Sequence, residues 1–369
     1  MRILQICSAT EMGGGEFHVA DLTRSLVQRG HTLHLAVRPG SPLPDVLAGI
    51  DVTWHELPLR NSVDLQSVRA IAGIAVEHSM NIIHGHVARD YLVAAMACRR
   101  LRRTKLVLTR HHYLPLSQNA AYKWLLQDVA AFIAVSASVR DSIIARLRLA
   151  PERVHIIPNW IDPGRLQTVE RKTARESLNL QSRLGVACIG EVTRAKGIED
   201  FIRAAGRVAR SRTDVDFLIA GQERDPEQPF TSDLKELAER LGITSRVRFL
   251  GHVDNVPELL AAVDVVVVPS WDEGFSLVTL ESLAARRAVV ASDVGGIRDI
   301  VQDNITGMLF PPKDANTLAN KLLWVLSDTP LRERLGNQGQ QDVTRRFARD
   351  QVIDRIEALY NEVLQSPKK

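Results

Sequence analysis

The chain has 369 residues, 45% hydrophobic and 24% charged, with three cysteines and a formal net charge of +4. That length exceeds one ordinary core and fits two domains, while Cys7, Cys98 and Cys188 lie too far apart for a disulfide framework or a metal knuckle. No apolar run reaches the ~20 residues of a membrane span, and Met1–Cys7 is too short for a signal peptide, so a reducing cytoplasm is the expected compartment.

In chain order, apolar strand-like runs alternate with helical patterns. The strands expected are Ile3–Cys7, Leu33–Val37, Val52–Glu56, Ile82–His84, Leu106–Thr109, Phe132–Val135 and Val154–Ile157, then Val186–Ile189, Phe217–Ala220, Val247–Leu250, Val265–Val268, Val289–Ala291 and Met308–Phe310. Such alternation implies parallel sheets. The pattern breaks between Pro158 and Ser182, which predicts two Rossmann-like α/β domains, 1–165 and 166–347, with a terminal helical segment over 348–369. The first 165 residues hold 19 Lys and Arg against 13 Asp and Glu, and ten of the eleven histidines.

Gly13-Gly14-Gly15-Glu16 comes first among the motifs, after a strand and before a helix expected over Phe17–Arg29. Glycine lets a ligand approach the backbone, and a helix start favours negative charge. A dinucleotide fingerprint needs Gly-x-Gly-x-x-Gly, and counting from Gly13 puts His18 at the third glycine, which disfavours an NAD-linked oxidoreductase. His84 and His86 fall at the end of another strand. The run Arg99-Arg100-Leu101-Arg102-Arg103-Thr104-Lys105 suits either an anionic membrane surface or a solvated helix end; without interleaved aromatics it does not suit nucleic acid. Thr109-Arg110-His111-His112-Tyr113 follows a strand, where histidine can donate a hydrogen bond or shuttle a proton.

The second half carries the denser chemistry. Gly190-Glu191-Val192-Thr193-Arg194-Ala195-Lys196-Gly197 follows its first strand, and Gly251-His252 ends another. Glu273-Gly274-Phe275-Ser276-Leu277-Val278-Thr279-Leu280-Glu281 follows the strand Val265–Val268 and sets two carboxylates around a glycine turn that opens a helix. Helix-start N–H groups attract phosphate, and the carboxylates can accept hydrogen bonds from sugar hydroxyls. Asp214-Val215-Asp216 reads as a metal-type Asp-x-Asp but precedes a strand, so a turn is expected there.

These residues resemble the retaining GT-B glycosyltransferases of family 4, in which the Glu-x7-Glu motif reads Glu-Gly-Phe-Ser or Glu-Gly-Phe-Gly. The resemblance implies two Rossmann-like domains facing a cleft, with the terminal helix packed back on the first. It implies that Glu273 contacts the donor sugar, that residues Gly274, Phe275, Ser276, Leu277 and Val278 border the pyrophosphate, and that Glu281 holds the ribose. Gly14, Gly15, Arg194, Lys196, Gly251 and His252 complete the donor site, with His111, Lys196 and Glu273 as catalytic residues. His112 is the alternative to His111, and Glu16, His84, His86 and His112 are expected near the acceptor. Relatives read Gly-Arg-x4-Lys-Gly where this chain has Glu191, which leaves Arg194 as the nearby substitute charge, and Trp160 stands where Pro-Asn-Gly is usual. The implied activity is metal-independent transfer of a hexose or N-acetylhexosamine from a UDP- or GDP-sugar to a hydroxyl acceptor. That acceptor is expected to be a cell-envelope glycolipid, lipopolysaccharide or polysaccharide precursor, and the enzyme cytoplasmic or peripheral at the membrane. No cofactor or metal is expected. A silent nucleotide-sugar binding subunit, an epimerase or a sucrose-type synthase of the same fold are the alternatives.

Overall fold

The computed structural model describes residues 1–112, 116–117, 119–161 and 169–366. The chain divides into two compact units, one of residues 1–159 with 350–369 and one of residues 160–349. The first contains strands β1 (Arg2–Cys7), β2 (Thr32–Val37), β3 (Val52–Glu56), β4 (Ile82–Gly85), β5 (Lys105–Arg110), β6 (Ala131–Ala134) and β7 (Val154–Ile156). The second contains β8 (Leu184–Ile189), β9 (Val215–Ala220), β10 (Val247–Gly251), β11 (Val265–Val268), β12 (Ala288–Ser292) and β13 (Met308–Phe310).

Each unit is a parallel sheet, ordered β3-β2-β1-β4-β5-β6-β7 in the first and β10-β9-β8-β11-β12-β13 in the second. The central strands are buried on both faces and read as continuous β-branched runs, β11 being four buried valines. In both sheets the strand order reverses beside the first strand, between β1 and β4 and between β8 and β11. Open α/β sheets bind ligands outside the carboxyl ends of the strands at such a reversal.

Two local expectations are corrected. The glycine-loop helix begins at Gly14, before Phe17. Gly13 is its N-cap, and its carbonyl already accepts from Phe17 N–H at 3.0 Å. Asp214-Val215-Asp216 is not a turn before a strand, because Val215 and Asp216 pair with Leu184 and Gly185 as the first residues of β9. The Asp216 carboxylate accepts from Gln181 N–H, Ser182 N–H and the Ser182 hydroxyl at 3.1, 2.9 and 2.6 Å, and Asp214 pairs with Arg212 at 2.8 Å. Both carboxylates are occupied in fixing the chain's entry into the sheet.

The basic run of residues 99–105 divides. Lys105 is buried at the start of β5, its ammonium on the Ser366 carbonyl, so it contributes nothing to a surface. Arg100, Arg102 and Arg103 are exposed. Arg99 pairs with Asp128 at 2.7 Å and lies 3.6 Å over the ring of exposed Trp124.

The last helix, Arg349–Gln365, packs in the first unit. Arg29 pairs with its Asp354 and Glu357. Fully buried Tyr360 places its hydroxyl 2.7 Å from His84 Nδ1, while His84 Nε2 lies 2.7 Å from Thr109 Oγ1. Tyr360→Phe removes one member of this buried chain and is expected to cost about 1–3 kcal/mol of stability. Urea unfolding measures that loss.

Candidate functional site

In the second unit the site is built from the loops at the carboxyl ends of β8 and β11. Glycines let these loops touch. Gly197, at φ +66°, has no room for a Cβ, which would stand 2.0 Å from the Pro269 carbonyl oxygen. A bond from Trp271 N–H to the Ala195 carbonyl, 2.8 Å, ties the same two loops. On the other side, Gly296 N–H donates to the Glu273 carbonyl at 2.9 Å, and a Cβ on Gly295 or Gly296 would strike the carbonyl of Glu273 or Gly274. The loop from Pro269 to Gly274 is thus held by Gly197 at its start and by Gly295 and Gly296 at its end.

This packing fixes one polar arrangement. Glu273 Oε2 accepts from Lys196 Nζ at 2.7 Å and from Ser270 Oγ at 3.1 Å. The Glu273 side chain is 13% exposed and that of Lys196 36%, so the carboxylate is the more buried member of the pair. Trp271 Nε1–H donates to Asp200 at 2.7 Å and Lys313 lies 4.5 Å over its ring, which holds the loop's outer edge.

Ser276 caps the helix Leu277–Ala284, accepting from Thr279 N–H at 3.2 Å. Helix geometry leaves the Leu277 and Val278 N–H groups without intrahelical partners. Phe275 is buried against Phe347, with ring centroids 5.8 Å apart, which anchors the turn. Glu281 lies one turn into the helix and is half-buried. The arrangement offers one cation, one aligned carboxylate and a helix start, a combination suited to a sugar diphosphate.

The charge balance of the β8 loop differs from expectation. Glu191 pairs with Arg224 at 2.9 Å. Arg194 is two-thirds exposed, 3.5 Å from Asp233 and 4.7 Å from the Phe230 ring. Arg224, beyond the carboxyl end of β9, is a second cation beside Glu191, and its signal was a basic residue at the end of the strand next to β8. Gly251, at φ +68°, and exposed His252, 3.1 Å from Asp254, lie at the end of β10.

In the first unit the first helix and the loops after β4 and β5 gather histidines. His18, His86 and His111 offer ring nitrogens within 4.8 Å of one another, and His111 lies edge-on to His18 with centroids 4.6 Å apart. Gly15 keeps the helix start close, since a Cβ there would stand 3.7 Å from the His111 ring. The ring nitrogens of His86 and His111 are buried with no hydrogen-bond partner among the described residues. His84 differs, because both its nitrogens are engaged and it is fully buried. It has no atom to offer an acceptor, and its expected acceptor role is replaced by one of positioning Thr109 and Tyr360. His112 is exposed, and Tyr113 of the Thr109–Tyr113 motif lies outside the described residues. Sequence reasoning passed over His18 as a ligand-site residue; its signal was the one-turn spacing from Gly15 on the first helix.

Burial holds all four imidazoles neutral. His18 is lowered to about 3, by burial and then by His84, and His84 to about 3, by burial and then by His111. His86 and His111 are lowered well below the usual histidine range, burial again the first cause. The unfolded chain therefore binds more protons than the native one between pH ~6.5 and ~3, and stability falls as pH falls through that window. Urea midpoints are expected to be flat above pH 7 and to drop below pH 6, each histidine contributing up to about 1.4 kcal/mol per pH unit.

Parallel sheets with paired switch-point loops, a clamped carboxylate–lysine pair and a helix start define a nucleotide-sugar-type α/β architecture. The sequence matches the description Glycosyltransferase Family 4 over residues 12–165 and Glycosyl transferases group 1 over residues 170–342. The chain belongs to this GT-B glycosyltransferase family. It is 25% identical to the N-acetyl-alpha-D-glucosaminyl L-malate synthase of Bacillus anthracis over 97% of this chain and 96% of that protein. It is 29% identical to the lipopolysaccharide core biosynthesis mannosyltransferase LpsB of Rhizobium meliloti over 57% of this chain and 61% of that protein. In fold it is similar to Anabaena Alr3699/HepE, crystallised with UDP, at TM-score 0.88 and 22% identity, covering 98% and 100% of the two chains.

Proposed function

We propose that this glycosyltransferase moves a hexose or N-acetylhexosamine, with retention of configuration, from a UDP- or GDP-sugar to a hydroxyl on a glycan or lipid-linked envelope precursor. The observation that carries the proposal is the Lys196–Glu273 pair, 2.7 Å apart and clamped beside the Ser276 helix start. Glu273 accepts from donor-sugar hydroxyls, Lys196 and the helix start stabilise the departing diphosphate electrostatically, and Arg194 is the nearby substitute charge on the same loop. Glu281 holds the ribose. No protein nucleophile is invoked; the acceptor hydroxyl attacks the anomeric carbon on the leaving-group face, its proton passing to the diphosphate as the glycosidic bond forms. UDP in a neighbour of the same fold and lipopolysaccharide assembly in a relative support the substrate classes.

The acceptor is proposed to bind the first unit near Glu16, His86 and His112, with His111 beside them as the catalytic imidazole. Neutral imidazoles there can hydrogen-bond a hydroxyl without adding charge. Peripheral contact with anionic lipid is proposed through Arg100, Arg102 and Arg103, with Trp124 as the interfacial aromatic.

Nucleotide release from a panel of UDP-, GDP- and ADP-sugars, with and without chelator, tests this function, followed by the anomeric configuration of the product by NMR. Chelator-resistant transfer with retention is expected. Silence across the panel, inversion, or loss of activity in chelator would contradict the corresponding element.

A further inference from the structure

We infer that His34, His55 and His78 form a site for a divalent transition ion of the zinc, nickel or copper type, in the first unit and distinct from the His18–His86–His111 cluster. The fold brings the three together from distant sequence positions. In the parallel register His34 of β2 faces Thr53 of β3, so His55, two residues on, projects from the same face of the sheet. His78 caps the carboxyl end of the helix Leu65–Glu77, which leads from β3 toward β4. In the same register His34 is level with Leu4 and hence with Ile83, before the strand end that carries His86.

The geometry is close to ligation. His34 Nδ1 and His55 Nε2 are 2.8 Å apart, with the two rings stacked at 5.1 Å and 15°. The His78 ring lies 4.6 Å from that of His34 and 5.9 Å from that of His55, and one nitrogen of each residue falls within 4.8 Å of the others. A tetrahedral ion with metal–nitrogen bonds of about 2.0–2.1 Å separates its ligands by roughly 3.4 Å. Small ring rotations of His78 toward the pair, and of the pair apart, reach that spacing.

A hydrogen bond between His34 and His55 accounts for those two rings. It does not account for the third ring packed on both. His34 is buried and His78 about one-third exposed, so an ion has an entry path and a fourth position open to water. The Glu77 carboxylate, 3.9 Å from His78 Nε2, offsets part of the ion's charge. Three imidazoles without a thiolate select zinc, nickel or copper over calcium or magnesium. A bound ion would cross-link edge strand β3 to β2 and to the helix end.

Chelator-treated protein, titrated with Zn²⁺ by calorimetry and with Co²⁺ by visible absorption, tests the site. His78→Gln and His55→Gln are each expected to weaken binding of one ion by at least about 10-fold and to abolish the zinc-induced rise in melting temperature. His111→Gln should leave that ion in place. His78 is at a partly exposed helix end, so its variant should match the wild-type melt without metal and decides the matter if His55→Gln fails to fold. Unchanged binding in His78→Gln, loss only in His111→Gln, or no binding by the wild type at 100 μM Zn²⁺ would overturn the assignment.

Discussion

Lys196→Ala is expected to lower kcat/KM for the donor by about 10²–10³, the effect typical of removing one preorganised charge-stabilising donor, while leaving stability almost unchanged. The two effects separate because of where the ammonium sits. Its partner Glu273 is 13% exposed, but Lys196 is 36% exposed, and ion pairs with one solvated member contribute roughly 0–1 kcal/mol to folding. The pair's value therefore lies in the arrangement it keeps ready. Lys196 and Ser270 hold Glu273 in one orientation; in the proposed reaction the ammonium would gain a diphosphate partner whose charge grows as the glycosidic bond breaks. Lys196→Arg is expected to recover little, since a planar guanidinium does not substitute for a compact point charge in a clamped loop. Steady-state kinetics beside urea unfolding makes the comparison. A stability loss of several kcal/mol in Lys196→Ala would show the pair to be structural.

Gly197→Ala is expected to abolish transfer and to destabilise the second unit, and Gly242→Ala supplies its internal control. The two glycines share nearly the same left-handed backbone, φ +66° and +68°, so each alanine incurs a comparable backbone cost of about 1–3 kcal/mol. Only the first meets an obstacle. A Cβ on Gly197 would stand 2.0 Å from the Pro269 carbonyl oxygen, whereas Gly242 has open space within 4 Å. Relief at position 197 must move the β8 loop away from the β11 loop, and that motion separates Lys196 from Glu273. Displacements of about 1 Å in a positioned site cost on the order of 100-fold in rate. Gly242→Ala should keep full activity at reduced stability. Equal behaviour of the two variants would mean that the loop contact does not position the site.

Much of the fold was legible because its signals are local. Runs such as Val265–Val268 and Met308–Phe310 are short, apolar and bounded by turn residues, and the structure forms both with those bounds. Alternation with helical patterns then leaves parallel sheets as the economical solution. The Glu273–Glu281 segment was legible for the same reason, since a strand, a glycine turn and a helix start are contiguous.

What the sequence hid depends on contacts between segments distant along the chain. The pairing of Glu191 with Arg224 requires β8 and β9 to lie side by side, and no spacing rule connects a residue after one strand with a residue after the next. The glycine contacts of Gly197 with Pro269 and of Gly295 with Glu273 are equally invisible, because each is a steric demand made by a loop some twenty to seventy positions away. His84 was misjudged because a histidine at a strand end is ambiguous until its neighbours are known. Its partner Tyr360 comes from the last helix, 276 residues on. Lys105 was misjudged as surface charge for a similar reason, its ammonium meeting the chain's final turn.

Hydrogen–deuterium exchange of the wild-type protein with and without UDP and GDP tests the location of the donor site most directly. One of the nucleotides is expected to slow exchange in residues 190–197 and 269–281 together, with the protection reduced in Lys196→Ala. Nucleotide binding with those two segments unprotected, or no binding of either nucleotide, would contradict a donor site at the Lys196–Glu273 pair.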